Sequence, residues 1–297
     1  MGFKIYSEES VRAIADAIRE KNGTTDKYTV GEMGPAVRAI PVGADLMALM
    51  TGNDTFNLDD DTVPTEATTI PAHMFQTNAK IRNVNMGHIT IVGAYAFQGS
   101  SVNKVELPEC LTIGNYAFDT CTSLRNTTLN IPKCTSIGDH AFNNCHCDSS
   151  SYIFDFSKVE SIAANAFYEA GFFKNVADLN FPECTSIGNA AFGTYYDTYR
   201  VQVTNFNLPK IVTIGNQVFR GSRITNLILG ENITSMGNNV FQNTGITNLY
   251  VYATTPPTVG SFYDNPTHVY VPAESVDVYK AASTWSAIAS RIEAIQS

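Results

Sequence analysis

Five histidines are the side chains of this sequence best suited to proton transfer or metal binding near neutral pH. Two of them, His73 and His140, hold the same place in a phrase of six residues that recurs along the chain. Other copies of the phrase place Tyr116, Asn165, Ala190 and Gln217 there. A place that accepts such different side chains is typical of a surface turn, so we do not predict a catalytic histidine.

The sequence also lacks the short motifs that carry common chemistries. It contains no phosphate-binding loop, no G-x-G-x-x-G after a strand, no H-E-x-x-H and no G-x-S-x-G. No local spacing pairs a nucleophile with a base. We therefore predict a protein that is not an enzyme and needs no cofactor.

Six cysteines suggest disulfides or a metal site, but their places in the recurring pattern explain most of them. One position of the repeat is occupied by Cys110, Cys134 and Cys184, and in other copies by Val159 or Ile211. This alternation predicts small, buried hydrophobic side chains. A second place holds Cys121 and Cys145, and elsewhere Ser100, Ala170, Ser222 and Thr244.

Two short clusters could bind a metal ion. Cys145-His146-Cys147 lacks the second ligand pair that a zinc finger needs. Asp59-Asp60-Asp61 is not followed by the register of a calcium-binding EF-hand loop, which favours a solvated linker. We predict no metal site.

An internal repeat sets the elements that carry these side chains. Its phrase is Ile-Gly-x-x-Ala-Phe, as in residues 113–118, and eight copies are recognisable at a spacing of 21–27 residues. The copies end at Phe75, Phe97, Phe118, Phe142, Phe167, Phe192, Phe219 and Phe241. A second phrase follows, with apolar first, fourth and sixth positions, as in Val203, Phe206 and Leu208. It predicts a short strand in each coil, with a core that only stacked coils can bury and a phenylalanine ring as its largest filler.

Together the two phrases, Ile-Gly-x-x-Ala-Phe and Leu/Val-Pro-x-Cys-x-x-Ile, resemble the BspA-like leucine-rich repeat. The resemblance implies a leucine-rich-repeat solenoid of short parallel β-strands, turns and 3-10 segments over residues 65–271. Residues 271–282, with Trp285 and Ile292, resemble the helical end of such repeats. We therefore predict an α-helical C-terminal cap at 272–297 that covers the last coil.

The N-terminal part is not repetitive. Residues 7–22 predict an amphipathic helix whose apolar face carries Val11, Ile14, Ala15 and Ile18, and a second short helix follows from Thr29 to Pro41. We assign residues 1–42 to a small helical attachment module and residues 43–64 to a linker. Residues 13–27 resemble the N-terminal module of phage and prophage tail proteins. The alternative is an ordinary pair of capping helices on the first coil.

Two surfaces of the predicted solenoid could bind a partner. The first is a stripe between the paired apolar strand positions, formed by Asn85, Glu106, Asn130, Asp155, Asn180, Asn207, Ile228 and Tyr250. A recurring asparagine nearby, at Asn83, Asn126, Asn205, Asn226 and Asn248, is predicted to bond neighbouring backbone groups and to be structural.

The second surface comes from insertions after Phe142, Phe167 and Phe192, which must lie together at one corner because coils stack in register. The candidate binding residues there are Tyr168, Phe172, Phe173, Tyr195, Tyr196, Asp197, Tyr199 and Arg200, with His146, Asp148 and Tyr152 in the same insertions. Aromatic rings beside carboxylates suit sugars or a protein partner. The alternative is that the insertions cover a widened part of the core.

The composition argues against two classes of function, nucleic-acid binding and membrane insertion. With 19 basic and 28 acidic residues, the net charge of −9 argues against nucleic-acid binding through a basic face, and no stretch is long and apolar enough for a membrane span. The first residues show no secretory signal, so we expect maturation in the cytoplasm.

We predict a non-enzymatic adhesion protein of a phage or prophage tail that binds a host surface protein or glycan, held in the virion by its N-terminal helices. The main alternative is a bacterial cell-surface adhesin. A glycan-cleaving enzyme would need two carboxylates about 5–9.5 Å apart, which Asp155 and Glu106 could supply only by accident of stacking.

Overall fold

The computed structural model describes residues 56–59, 68–124, 129–145, 155–262, 264 and 266–296. Each short strand in these residues pairs in parallel with the equivalent strand of the next coil, as Ile113 does with Val92 and Ile137. The fold is therefore a parallel β-solenoid, which confirms the predicted fold class for the repeat region.

The strands within these residues have the following bounds: β1 Phe56–Asp59, β2 Thr69–Ile70, β3 Ile81–Asn85, β4 Ile91–Val92, β5 Lys104–Glu106, β6 Thr112–Ile113, β7 Leu129–Asn130, β8 Ser136–Ile137, β9 Ser161–Ile162, β10 Lys174–Asn180, β11 Ser186–Ile187, β12 Gln202–Leu208, β13 Thr213–Ile214, β14 Arg223–Leu229, β15 Ser235–Asn238, β16 Asn248–Val251, β17 Thr258–Ser261, β18 His268–Val271 and β19 Ile292–Ala294. The helical segments are α1, Val276–Ala281, and 3-10 segments at Asp197–Tyr199, Ala273–Ser275 and Trp285–Arg291.

The strands form three sheets along the solenoid. One long face is the sheet β17-β15-β13-β11-β9-β8-β6-β4-β2. On the other face, the strands of the described residues form the sheets β1-β3-β5-β7 and β10-β12-β14-β16-β18-β19. Residues 146–154, between β7 and β10 in the chain, lie outside the described residues.

The stacked phenylalanines fill the core. From Phe75 to Phe219, the rings of successive copies lie 5.1–6.2 Å apart and within 16° of parallel. All eight predicted phenylalanines are buried, as expected of the largest apolar groups in each coil. Phe262 lies outside the eight copies of the motif, and its ring stacks 6.0 Å from that of Phe241 and extends the aromatic core toward the C-terminus.

The recurring phrase forms a turn that brings neighbouring coils close together. Its fourth residue takes the left-handed conformation in every copy, for example at Tyr116, where φ is 57°. Phe118 donates its backbone N–H to Ala141 of the next coil, and the glycine at the second position lets the backbones approach. A Cβ on Gly114 would lie 2.7 Å from the backbone nitrogen of Ala94. These contacts explain why the phrase is so constant in sequence.

The cysteines confirm the buried prediction. Five described cysteines are buried and free of disulfides: Cys110, Cys121, Cys134, Cys145 and Cys184. Cys145 donates its thiol to the carbonyl of Phe118, and the other two residues of the cluster considered for metal binding lie outside the described residues. Within the described part of the chain, no three histidine, cysteine or acidic residues lie together as a metal site would require.

The C-terminal segment closes the last coil with fewer helices than predicted. Tyr279 of α1 and Trp285 are fully buried and donate hydrogen bonds to the carbonyls of Ala253 (2.8 Å) and Pro257 (2.9 Å). The chain then returns as a strand, β19, which pairs with β18. The cap therefore combines short helical turns with a final strand, because Ile292 continues the apolar row of the sheet.

The N-terminal predictions fall mostly outside the described residues. The helices predicted at 7–22, with Val11, Ile14, Ala15 and Ile18, and from Thr29 to Pro41 lie entirely outside them. The predicted linker at 43–64 requires a correction, because β1 lies within it and pairs with β3. Leu58 is buried opposite Val84, so the apolar row of the solenoid already includes this strand. No helix of the described residues has the length and apolarity to cross a membrane.

Candidate interaction surface

The insertion after Phe192 presents two tyrosines to solvent. Tyr195 and Tyr196 are 63% and 60% exposed, more than any other described large hydrophobic side chain. Thr194 holds the loop, since its hydroxyl donates to the carbonyl of Tyr196 and accepts from the amide of the same residue, both at 3.0 Å. The 3-10 turn that begins at Asp197 follows directly. The tyrosine pair is therefore displayed by a short, hydrogen-bonded loop.

Neighbouring coils support the ring of Tyr195. The guanidinium carbon of Arg220 lies 3.5 Å from the ring centroid, and the Tyr168 ring meets it edge-on at 6.1 Å. The carboxylate of Glu169 accepts the backbone N–H of Tyr195 at 3.4 Å. Burial and the nearby negative charge of Glu169 raise the pKa of the Tyr168 hydroxyl above its ordinary value of 10.0. We call Tyr168, Tyr195, Tyr196 and Arg220 the tyrosine corner.

Two of the predicted binding residues are not part of this corner. Phe172 and Phe173 are buried, and both rings pack edge-on against Phe167. For this pair the structure decides in favour of the widened core, because the insertion enlarges the coil and the two rings fill the added space. Both residues therefore leave the candidate set.

The other predicted binding residues differ in how far they are exposed and in whether they lie within the described residues. Tyr199 and Arg200 are half-buried at the end of the 3-10 turn. Burial and the nearby charge of Arg223 lower the pKa of the Arg200 guanidinium. Asp197 lies in the turn, while His146, Asp148 and Tyr152 lie outside the described residues.

A groove of about 530 Å³ lies beside the tyrosine corner, across the first halves of β10, β12 and β14. The exposed side chains of Gln202, Thr204, Arg223 and Thr225 line it, and Val176 contributes apolar surface. Gly245 leaves one end open, since a Cβ there would meet only the Arg223 side chain, at 3.8 Å. Arg223 was missed in the sequence, because its strand position is polar and variable.

The two carboxylates of the strand-face stripe, Glu106 and Asp155, lie two coils apart. Glu106 pairs with Asn130, and the coil that carries Asp155 stacks on the far side of the Asn130 coil. The Asp155 carboxylate accepts hydrogen bonds from the hydroxyl and the backbone amide of Ser157, and these bonds lower its pKa. An ionised carboxylate does not suit the role of general acid.

The repeats and the fold agree with one family. Residues 53–172 and 135–265 match the BspA type leucine rich repeat region, with six copies. The chain belongs to this family. A crystal structure of a leucine-rich repeat protein from Bacteroides ovatus ATCC 8483 is similar at 15% identity and a TM-score of 0.43, covering 84% of this chain and 85% of that one. No curated protein matches the chain.

The BspA-type turns of this protein form a ladder of rings that the sequence pattern did not predict. His73, Tyr95, Tyr116 and His140 stack at 4.5–4.8 Å and within 7° of parallel. They occupy the predicted surface turn, and only the tertiary stacking makes them one group. Because the inner rings cover one another's faces, they offer edges rather than faces to a ligand.

A row of amides and carboxylates runs beside this ladder. Gln98 accepts from Gln76 at 2.6 Å and donates to Asp119 at 2.8 Å, and Asn143 donates to the same carboxylate at 2.8 Å. Asp119 is almost fully buried by these partners. The polar groups of this row bond one another, so the row stabilises the turns of the BspA-type coils.

The predicted asparagine row is also structural, but its partners differ from the prediction. Asn226 donates to the side chain of Asn205 at 2.7 Å and accepts from Asn248 at 2.8 Å, and Asn205 donates to Asp178 at 2.6 Å. Asn83 bonds Asn57 in the same way, while Asn126 lies outside the described residues. The bonds therefore join side chains of neighbouring BspA-type coils rather than a side chain and its local backbone.

Proposed function

We propose that this leucine-rich repeat protein is a non-enzymatic binding protein that contacts its partner through the tyrosine corner. The exposure of Tyr195 and Tyr196 carries the proposal. Tyrosine offers a large amphipathic contact at a low cost in side-chain entropy, and it is enriched in the centres of interfaces. Arg220 and Thr194 hold the pair before a partner arrives, which lowers the cost of binding.

For the place of action, we propose the tail tip of a phage or prophage particle, where the solenoid contacts the host cell and residues 1–42 attach the protein to other tail proteins. The resemblance of residues 13–27 to phage and prophage tail proteins supports this. The partner would be a host surface protein or glycan. Mass spectrometry of particles purified from the source bacterium should then detect the chain, and a variant lacking residues 1–42 should be absent from them.

The alternative is a bacterial cell-surface adhesin, which the BspA type repeat supports equally well. Immunolabelling of intact cells separates the two places of action. Labelled cells together with particles that lack the protein would favour the adhesin, whereas labelled particles would favour the tail.

Binding itself is tested with the purified full-length chain on intact cells of candidate hosts. We expect the double variant Tyr195→Ser, Tyr196→Ser to lower the amount of bound protein at least about tenfold. A loss of this size is typical when one interface anchor is removed. Tyr252→Ser is the matched control, because Tyr252 is 46% exposed outside the corner. Equal loss in both variants, or in neither, would contradict the assignment of the corner.

A further inference from the structure

The groove beside the tyrosine corner has an unusual charge for this protein. The chain has a net charge of −9, yet Lys174, Arg200, Arg220 and Arg223 come together around three neighbouring coils. Two acidic side chains of these coils are engaged in hydrogen bonds: Glu169 accepts from the amide of Tyr195, and Asp178 accepts from Asn205. Arg223 lines the groove, and Lys174 lies on β10 in register with it, so two cations stand together on this side of an acidic molecule.

The register of the strands aligns two of these cations. Lys174 of β10 pairs with Gln202 of β12, which pairs with Arg223 of β14. Within the described residues, neither the Lys174 ammonium nor the Arg223 guanidinium makes an ion pair or a side-chain hydrogen bond. Two strand spacings separate their backbones, a distance of about 9.5 Å. The positive charges therefore repeat along the solenoid axis with a neutral amide between them.

The surface between the cations is built from neutral polar groups. The Gln202 amide and the Thr204 and Thr225 hydroxyls are exposed along the groove, and they can donate to and accept from hydroxyl groups. The volume of about 530 Å³ is within the range of small-ligand sites, and the end at Gly245 is open. A polyhydroxylated chain can therefore enter the groove lengthwise and continue beyond it.

We propose that this groove binds an acidic polysaccharide with a carboxylate on alternate sugar rings. Lys174 and Arg223 take successive carboxylates, while Gln202, Thr204 and Thr225 bond the hydroxyls of the rings between them. One acid group per disaccharide has a repeat that matches the separation of the two cations, and the ring between two such groups then faces the neutral Gln202 amide. An acid group on every ring would place a further carboxylate there, opposite no cation. The guanidinium of Arg223 can bind its carboxylate with two parallel hydrogen bonds.

The proposal rests on the proposed function in one respect, that the solenoid is a binding surface. Its test uses the purified full-length chain and a hyaluronan octasaccharide, with a neutral chitin oligosaccharide and linear polyphosphate as comparisons. Calorimetry at physiological ionic strength should show saturable binding of hyaluronan and none of the neutral sugar. Equal binding of the neutral sugar, equal or tighter binding of polyphosphate, or no binding of hyaluronan would overturn the proposal.

Three substitutions in the groove and one control substitution outside it make the test specific. Arg223→Gln should weaken hyaluronan binding about tenfold, the effect of losing one charge-assisted hydrogen-bonded contact, and Arg223→Lys should restore part of it. Gly245→Glu places a carboxylate at the open end and should also weaken binding. Lys210→Gln is the control, because it removes the same charge from an exposed ion pair with Glu183. An equal effect of Lys210→Gln would indicate general electrostatic attraction and overturn the site.

The two proposals fail separately. If hyaluronan does not bind but the serine variants of Tyr195 and Tyr196 lose adhesion to cells, only the polysaccharide assignment is wrong. If hyaluronan binds through Arg223 and adhesion does not depend on the tyrosines, the tyrosine corner is wrong and the groove stands.

Discussion

The guanidinium of Arg220 covers the ring of Tyr195 at a distance of 3.5 Å from the ring centroid. The two residues belong to neighbouring coils, and Tyr195 is otherwise mostly exposed. The planar cation contacts one face of the ring and leaves the rest of it to solvent. A residue of the regular solenoid thus fixes the orientation of an aromatic side chain in an inserted loop.

We predict that Arg220 and Tyr195 are energetically coupled. A double-mutant cycle with Arg220→Gln and Tyr195→Leu, measured by urea unfolding, should give a coupling free energy of about 0.5–1 kcal/mol, the range for partly exposed cation–π pairs. Additive effects of the two substitutions would show that the observed contact does not stabilise the corner.

The ring stack should dominate the stability of the central coils. Phe142 stacks on Phe118 and Phe167 and meets Phe172 edge-on, and it is fully buried. We expect Phe142→Ala to lower the free energy of unfolding by about 3–5 kcal/mol. Tyr252→Ala, at an exposed ring, should change it by less than about 0.5 kcal/mol. Similar losses in both variants would contradict the stacked core.

Close approach of two coils at Gly230 predicts a steric effect. A Cβ there would lie 1.7 Å from the carbonyl oxygen of Pro209, so one backbone must move. Gly230→Ala should lower the free energy of unfolding by about 1–3 kcal/mol, the cost of overpacking. Gly245→Ala is the matched control, since its Cβ has open space. Thermal unfolding of both variants measures the difference in stability. An unchanged melting temperature for Gly230→Ala would refute the close contact.

Burial of the thiols predicts both reactivity and pH dependence. Burial raises the pKa of Cys110 and Cys184 to about 12 and that of Cys134 to about 11, from an ordinary value of 9.0. In the native protein at pH 8, iodoacetamide should therefore leave these cysteines unlabelled, and it should label them after unfolding in urea. Peptide mass spectrometry reads the result.

The same pKa shifts set the sign of the pH effect on stability. A raised pKa in the folded state means that the unfolded chain loses these protons first, above pH 9. The stabilisation is complete below pH 9 and is lost as the pH rises toward 11–12. We expect a triple variant with valine at Cys110, Cys134 and Cys184 to lose less stability between pH 8 and pH 10.5 than the wild-type protein. Equal losses would show that other groups cause the alkaline decline.

Sequence periodicity determined most of the core. The eight phenylalanines and the alternation of cysteine with valine and isoleucine identify inward positions, because stacked coils repeat the same environment at the same place in each copy. The structure confirms these positions without exception in the described residues. The period could not show that β1 already belongs to the solenoid, since Leu58 stands before the first copy of the phenylalanine phrase.

Only the tertiary structure decided which inserted aromatics are available for binding. Phe172 and Tyr195 both lie in insertions, but the first fills the core and the second faces solvent. An insertion has no period, so the sequence cannot separate the two environments. The row from Lys174 to Arg223 is likewise not evident from the sequence, because strand pairing between coils places the two cations in one row.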